Sequence, residues 1–265
     1  MGIVKKYLRI IKVYFSGSLM NQMEYKFNFL FGGLFELVWL FMYIIFINIV
    51  FLNTGSIEGW SKYQVLLLTF QGGLMDSIFT FAIVPGLGQL PGLINMGTLD
   101  FFLLKPVNKT FIISLREYDF TQLKNIAINI VGLIYCLCKL NVTITFKNIM
   151  VYIFLSFCGF MIIYCIILIL MTLAFWLLRI DVVMSIGSQL ITVGNKPLSI
   201  YPKLMQKLLI YGFPVLIAFN FPVLYMLDKL SIQYCFLSIG MATIWWTISK
   251  IILTRGMKRY VSASS

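Results

Sequence analysis

Apolar and polar positions run in long blocks along this chain. Residues 27–52 are almost wholly apolar around a single acid, Glu36, and a short polar loop, NTGSIEGWSK, follows. A second apolar block covers residues 63–84 and contains QGG (71–73) and Asp76; others cover 120–140, 149–178, 182–194 and 230–253. Crossing about 30 Å of hydrocarbon takes about 20 apolar residues in a helix, and most of these blocks reach that length. Ahead of them, residues 3–15 place Lys5, Lys6, Arg9 and Lys12 on one side of a helix and Ile3, Leu8, Ile11 and Phe15 on another. That is the pattern of an amphipathic helix lying in the membrane interface, with its cations toward anionic headgroups.

The predicted fold is an all-α integral membrane protein of one domain. It has an interfacial helix within 1–26, six transmembrane helices within 27–254 and a cytoplasmic tail over 255–265. The block at 182–194 has 13 residues, too few to cross alone if the helix stops there. After it come NKPLSIYPKLMQK and an apolar run broken by Pro214 and Pro222. In the favoured reading the fifth helix crosses. Residues 197–228, with Pro197, Tyr201, Pro202, Pro214 and Pro222, then form outer re-entrant helices that dip into the leaflet and return. Such backbone is tolerated where protein or water covers it. The alternative is two further crossings, eight in all. Both leave the termini on one side, and the Lys and Arg flanking the first and last spans make that side cytoplasmic.

Composition removes other classes. Only 11% of the 265 residues are charged and mean hydropathy is +0.94, against about 25% charged in soluble domains. The net charge of +12 gathers at span ends, which argues for membrane lipid as a partner and against nucleic acid. Five cysteines, Cys136, Cys138, Cys158, Cys165 and Cys235, all fall in apolar stretches and form no disulfide framework or zinc spacing. There is no histidine, so imidazole serves neither a metal nor acid–base chemistry. No G-x-x-x-x-G-K-[ST] loop is present to hold ATP. The acids Glu117 and Asp119 beside Arg116 read as solvated ion pairing. Glu36 and Asp76, within apolar spans, each cost several kcal/mol unless paired or wet. They are candidates, with Gln71, for a polar path.

The segment between the second and third spans, GTLDFFLLKPVNK, is too polar for lipid and too apolar for a solvent loop. Gly97 allows a turn, and Thr98 or Asp100 is placed to cap a short helix. Leu99, Phe101, Phe102, Leu103 and Leu104 supply an apolar surface, and Pro106 stops the helix at Lys105. Such a knob suits the groove of a soluble partner or rests on headgroups.

INMGTLDFFLLKPVNKTF (94–111) and PLSIYP (197–202) resemble stretches of small ABC-2 type permease subunits. Gly97, Leu99, Asp100, Leu103, Lys105 and Pro106 fall on that branch's Gly-x-Leu-Asp-x-x-Leu-x-(Lys/Arg)-Pro pattern. The resemblance implies a bacterial plasma-membrane exporter in which two permeases, identical or related, pair with two cytoplasmic ATPase subunits. Those partners would hold the ATP and magnesium, leaving this chain without a cofactor, a metal or a catalytic residue. Leu93, Gly97, Leu99, Asp100, Phe101, Phe102, Leu104, Lys105 and Pro106 then resemble the coupling helix that docks in the ATPase. The path would lie between the permeases, lined by the first, second and fifth helices, for a hydrophobic or amphipathic cargo such as an antibiotic, an antimicrobial peptide or a lipid-like molecule. An ion-coupled secondary carrier and a non-transporting immunity or sensor subunit stay open beside it. A lipid-acting enzyme is disfavoured by the missing histidine.

Overall fold

The computed structural model describes residues 2–24, 26–177 and 181–260, with the side chains at 3, 26–37, 39, 40 and 181–184 outside that description. Its described residues are mostly helical. The first elements are α1 (Ile3–Glu24), α2 (Lys26–Asn53) and α3 (Lys62–Ala82). Four short helices follow: α4 (Val84–Leu87), α5 (Leu90–Asn95), α6 (Asp100–Leu103) and α7 (Lys109–Ser114). Then come α8 (Gln122–Lys139) and α9 (Phe146–Thr172), which a 3₁₀ turn extends through Phe175. The chain ends with α10 (Asp181–Gly194), α11 (Lys203–Lys207) running into a π turn at Leu208–Gly212, α12 (Val215–Met226) and α13 (Gln233–Arg259). Among the described residues the only extended pairing is an isolated bridge, Ile57 to Trp60.

Among the described residues three helices are long and apolar enough to cross a membrane: Lys62–Ala82, Phe146–Phe175 and Gln233–Arg259. A fourth candidate is a pair, Lys203–Gly212 and Val215–Met226, bent by 103°. The described part of α2 adds an apolar stretch, Phe41–Asn53. At 1.5 Å per residue α10 is about 21 Å long and α12 about 18 Å, so neither spans the hydrocarbon alone.

The centre of the molecule is α9, apolar all round as a helix surrounded by others must be. α12 and α13 pack along it, and α8 packs along α3. Gly159 of α9 makes the α12 contact close, because a Cβ there would sit 2.6 Å from the Ala218 Cα. Small residues let backbones approach in just this way where hydrocarbon offers no hydrophobic drive.

Two ends of the bundle are tied by different chemistry. At one, Gln64 accepts from the Ser61 N–H at 3.2 Å to start α3 and also takes a bond from Lys229 Nζ. Ser199 Oγ donates there to the Glu58 carbonyl at 3.2 Å. At the other, α1 lies along residues 105–122. Tyr7 Oη accepts from Asn108 N–H at 3.1 Å, Ser18 Oγ from Tyr118 N–H at 3.1 Å, and Gln22 Oε1 from Phe120 N–H at 2.8 Å. The docking face of α1 is therefore Tyr7, Tyr14, Ser18 and Gln22, at helical spacing. Leu8, on the face expected to be apolar, is 60% exposed.

Two sequence expectations need correction here. Pro214 stands at the 103° break, but Pro222 sits inside α12, buried and without interrupting it. Arg116, Glu117 and Asp119 are not a solvated cluster. Arg116 is 6% exposed, donates to Gln89 Oε1 at 2.8 Å, and lies 4.9 Å over the Phe102 ring. Gln89 in turn donates to Glu117, while Asp119 accepts from Thr121 and Gln22. Burial pulls the Arg116 guanidinium below its usual pKa, against the opposing field of Glu117. Two amide side chains, Gln22 of α1 and Gln89 just before α5, supply partners to Asp119, Arg116 and Glu117 at this end.

Candidate functional site

Two features stand out: a polar cleft inside the helical bundle and the short helix α6 at its α1-bearing end.

The cleft holds about 680 Å³, within the usual range for ligand sites. α3 contributes Thr69, Gly73, Asp76, Ser77 and Thr80, and α8 contributes Gln122, Asn125 and Asn129. Across from them α10 contributes Ser188 and Thr192 and the turn after it Asn195 and Lys196, with Tyr43 of α2 at the edge. These positions recur three or four apart on each helix, so each presents one polar stripe. Part of the stripe is internally satisfied. Asn129 Nδ2 donates to the Asn125 carbonyl at 2.8 Å and to Ser77 Oγ at 3.3 Å, and Ser77 Oγ donates to the Gly73 carbonyl at 2.6 Å. The QGG sequence has a spatial reason. A Cβ on Gly72 would lie 1.3 Å from Asn195 Oδ1, and one on Gly73 2.4 Å from Asn129 Oδ1. The two glycines let α10 and α8 close onto α3.

Of the sequence-nominated path residues, Asp76 is exposed on the cleft wall and is not without a partner. Gln71 is 0% exposed and lies apart from the cleft, between α3 and α9. Its Nε2 donates to Ser156 Oγ at 3.3 Å and its Oε1 accepts from Tyr152. Glu36 belongs to α2, and its side chain lies outside the described residues. Asn125, Asn129, Ser188, Thr192 and Asn195 also line the cleft, and as neutral side chains they carry no charge in an apolar block to mark them. The signal that would have found them is the run of small polar residues at helical spacing within apolar blocks.

At the other feature, α5 ends in a Schellman turn. Gly97 N–H bonds the Ile94 carbonyl at 3.2 Å and Thr98 N–H the Leu93 carbonyl at 3.0 Å, with Gly97 at φ +68°. Neither Thr98 nor Asp100 caps α6. Its N-cap is Leu99, with no side-chain bond, because the preceding Schellman turn already fixes the entry. Leu99 is 0% exposed, whereas Phe101 is 71% and Leu104 83% exposed, with Met96 alongside at 76%. Phe102 lies between the cations of Arg116 and Lys105, the latter 5.1 Å from its ring centroid. Lys105 Nζ also reaches Tyr14 Oη at 3.3 Å, and Lys6 donates to the Pro106 carbonyl. The knob is therefore narrower than the sequence suggested: Phe101, Leu104 and Met96 face outward from a braced base.

The third region, at residues 197–228, is organised by Asn220, which is 0% exposed. Its Nδ2 donates to the Gly194 and Lys196 carbonyls at 3.0 and 3.1 Å, and its Oδ1 accepts from Leu198 N–H at 2.9 Å. Pro197 and Pro202 begin the two turns on either side of Tyr201, whose hydroxyl donates to the Val193 carbonyl at 2.8 Å.

A helical membrane protein with a polar cleft among its spans and an apolar knob at one end is the class these features define. Within it, the chain belongs to the ABC-2 family transporter proteins, whose family model matches residues 37–264. No curated protein and no solved structure matches it.

Proposed function

We propose that this chain is the permease subunit of an ATP-driven exporter, in which α6 is the coupling helix for a cytoplasmic ATPase. The observation that carries this reading is the division of labour on α6. Leu99 is wholly buried in the fold, while Phe101 and Leu104, on the same turn, are exposed. An apolar pair on a braced helix meets the requirement for transmitting force: it grips a partner without being free to slip.

The connection from α6 to the cleft is short. Asp119 N–H bonds the Phe81 carbonyl at 2.9 Å, joining the end of α3 to the start of α8. α6 packs on α7, α7 on α4 and α4 on α3, so displacing α6 would move α3, and α8 with it, against α10 and widen or close the cleft between them. ATP binding drives this only if the partner grips the two arrangements unequally. In this reading the crossings are α2, α3, α8, α9, α10 and α13, with α10 shorter than the hydrocarbon, and α11 and α12 form a re-entrant pair whose α12 packs on α9 and α10. Two copies, of this chain or a related one, would bring their clefts to a shared path. The hydroxyl and amide lining supports an amphipathic cargo with a hydrogen-bonding head, rather than a purely apolar one.

The test is a pull-down of the tagged full-length chain from mild detergent, wild type against Phe101→Asp with Leu104→Asp. A nucleotide-hydrolysing subunit co-purifies with the wild type and is lost from the folded variant. No ATPase in either eluate overturns the reading in favour of a self-contained, ion-coupled carrier.

A further inference from the structure

Between α1 and the segment after α6 lies a groove of about 410 Å³. Lys6 and Arg9 approach it from α1 and Lys105 from the other side, while Ile10, Val13 and Ile112 form its floor. We infer that this groove binds an anionic phospholipid of the inner leaflet, the phosphate among Lys6, Arg9 and Lys105 and the upper acyl chain over Ile10 and Val13.

Three observations carry the assignment. The cations are uncompensated: among the described residues none of the three makes an ion pair, no acid lines the groove, and Lys5, Lys12 and Lys109 add to the same field. The floor is apolar, and Val13 is 65% exposed, which a phosphate alone does not call for and a glycerolipid does. The groove also runs along the helix whose Val4 and Leu8 are 72% and 60% exposed, the placement of a helix lying at headgroup depth. Cations at that depth each contribute about 1 kcal/mol toward an anionic surface. A bound lipid would brace Lys105 and Pro106 against α1. Its effect on coupling rests on the proposed function, whereas the binding itself requires only that α1 lie at the inner interface.

The experiment is native mass spectrometry of the full-length chain from neutral detergent, titrated with phosphatidylglycerol or with phosphatidylcholine of the same acyl chains. The wild type retains phosphatidylglycerol and not phosphatidylcholine. Each of Lys6→Gln, Arg9→Gln and Lys105→Gln weakens it about fivefold, and the three together about a hundredfold. A control set at the opposite end, Lys62→Gln with Lys147→Gln, leaves it unchanged. Val13→Asn weakens the lipid as well, since the floor takes part. Three results overturn the proposal: equal retention of phosphatidylcholine, unchanged binding in Arg9→Gln, or full displacement of the lipid by inorganic phosphate. Among the described residues Arg9 makes no hydrogen bond or ion pair, so its variant stays decisive if the triple variant does not fold. The readout uses no ATPase, so its failure leaves the coupling reading standing, and the reverse holds too.

Discussion

Gly72 of α3 and Asn195, the residue after α10, meet so closely that a Cβ on the glycine would fall 1.3 Å from the asparagine Oδ1. The clash is with the end of a side chain, and that end can rotate. At Gly159 the clash is with the backbone of Ala218, which cannot. Gly72→Ala should therefore fold with nearly unchanged thermal stability in detergent, yet swing Asn195 into the cleft and lower transport. Gly159→Ala should lower stability by about 1–3 kcal/mol, the usual cost of overpacking. Thermal unfolding of the two purified variants checks the contrast.

Leu99 and Phe101 should separate stability from coupling. Leu99→Ala removes a wholly buried side chain and should cost about 2–5 kcal/mol. Phe101→Ala should leave the unfolding midpoint in place and reduce retention of the ATPase. If both variants change the same quantity, α6 is not divided between an inner and an outer face.

Asn220 holds three backbone groups at the end of α10. Asn220→Ala strands them, each at about 1–3 kcal/mol, and should destabilise residues 194–202 before the rest of the fold. Hydrogen exchange at Leu198, measured by mass spectrometry, should accelerate in the variant while exchange in α9 stays slow.

Asp76 distinguishes two energy sources. In an ATP-driven permease Asp76→Asn keeps the cleft polar and export persists. In a proton-coupled carrier the same variant abolishes uphill transport. Efflux from vesicles with ATP, and separately with an imposed proton gradient, reads the difference.

Arg116 should be irreplaceable by lysine. Its guanidinium both donates to Gln89 and stacks on Phe102, and an ammonium cannot do both in one plane. Arg116→Lys should loosen α6, seen as faster proteolysis around residues 97–106 with the spanning helices intact.

The chain by itself determined where the apolar helices fall, because insertion into hydrocarbon depends on local composition. α2, α3, α8 and α9 begin and end within a few residues of the blocks read from sequence, and α13 begins near its block but runs on past it to Arg259. It also determined the turn at Gly97, which follows from the backbone limits of a single residue, whereas α6 ends at Leu103, ahead of the stop expected at Lys105 from Pro106. The tertiary structure alone decided how each helix is rotated about its axis. That rotation buries Leu99 and turns out Phe101, puts Gln71 against Tyr152, and lets Asp76, Asn129 and Asn195 converge on one cleft. It also set the α1 contacts to residues 105–122 and the Asn220 bonds to Gly194, Lys196 and Leu198. Those pairings join positions tens to a hundred residues apart, and they depend on which helices pack together, which no local pattern of polar and apolar residues specifies.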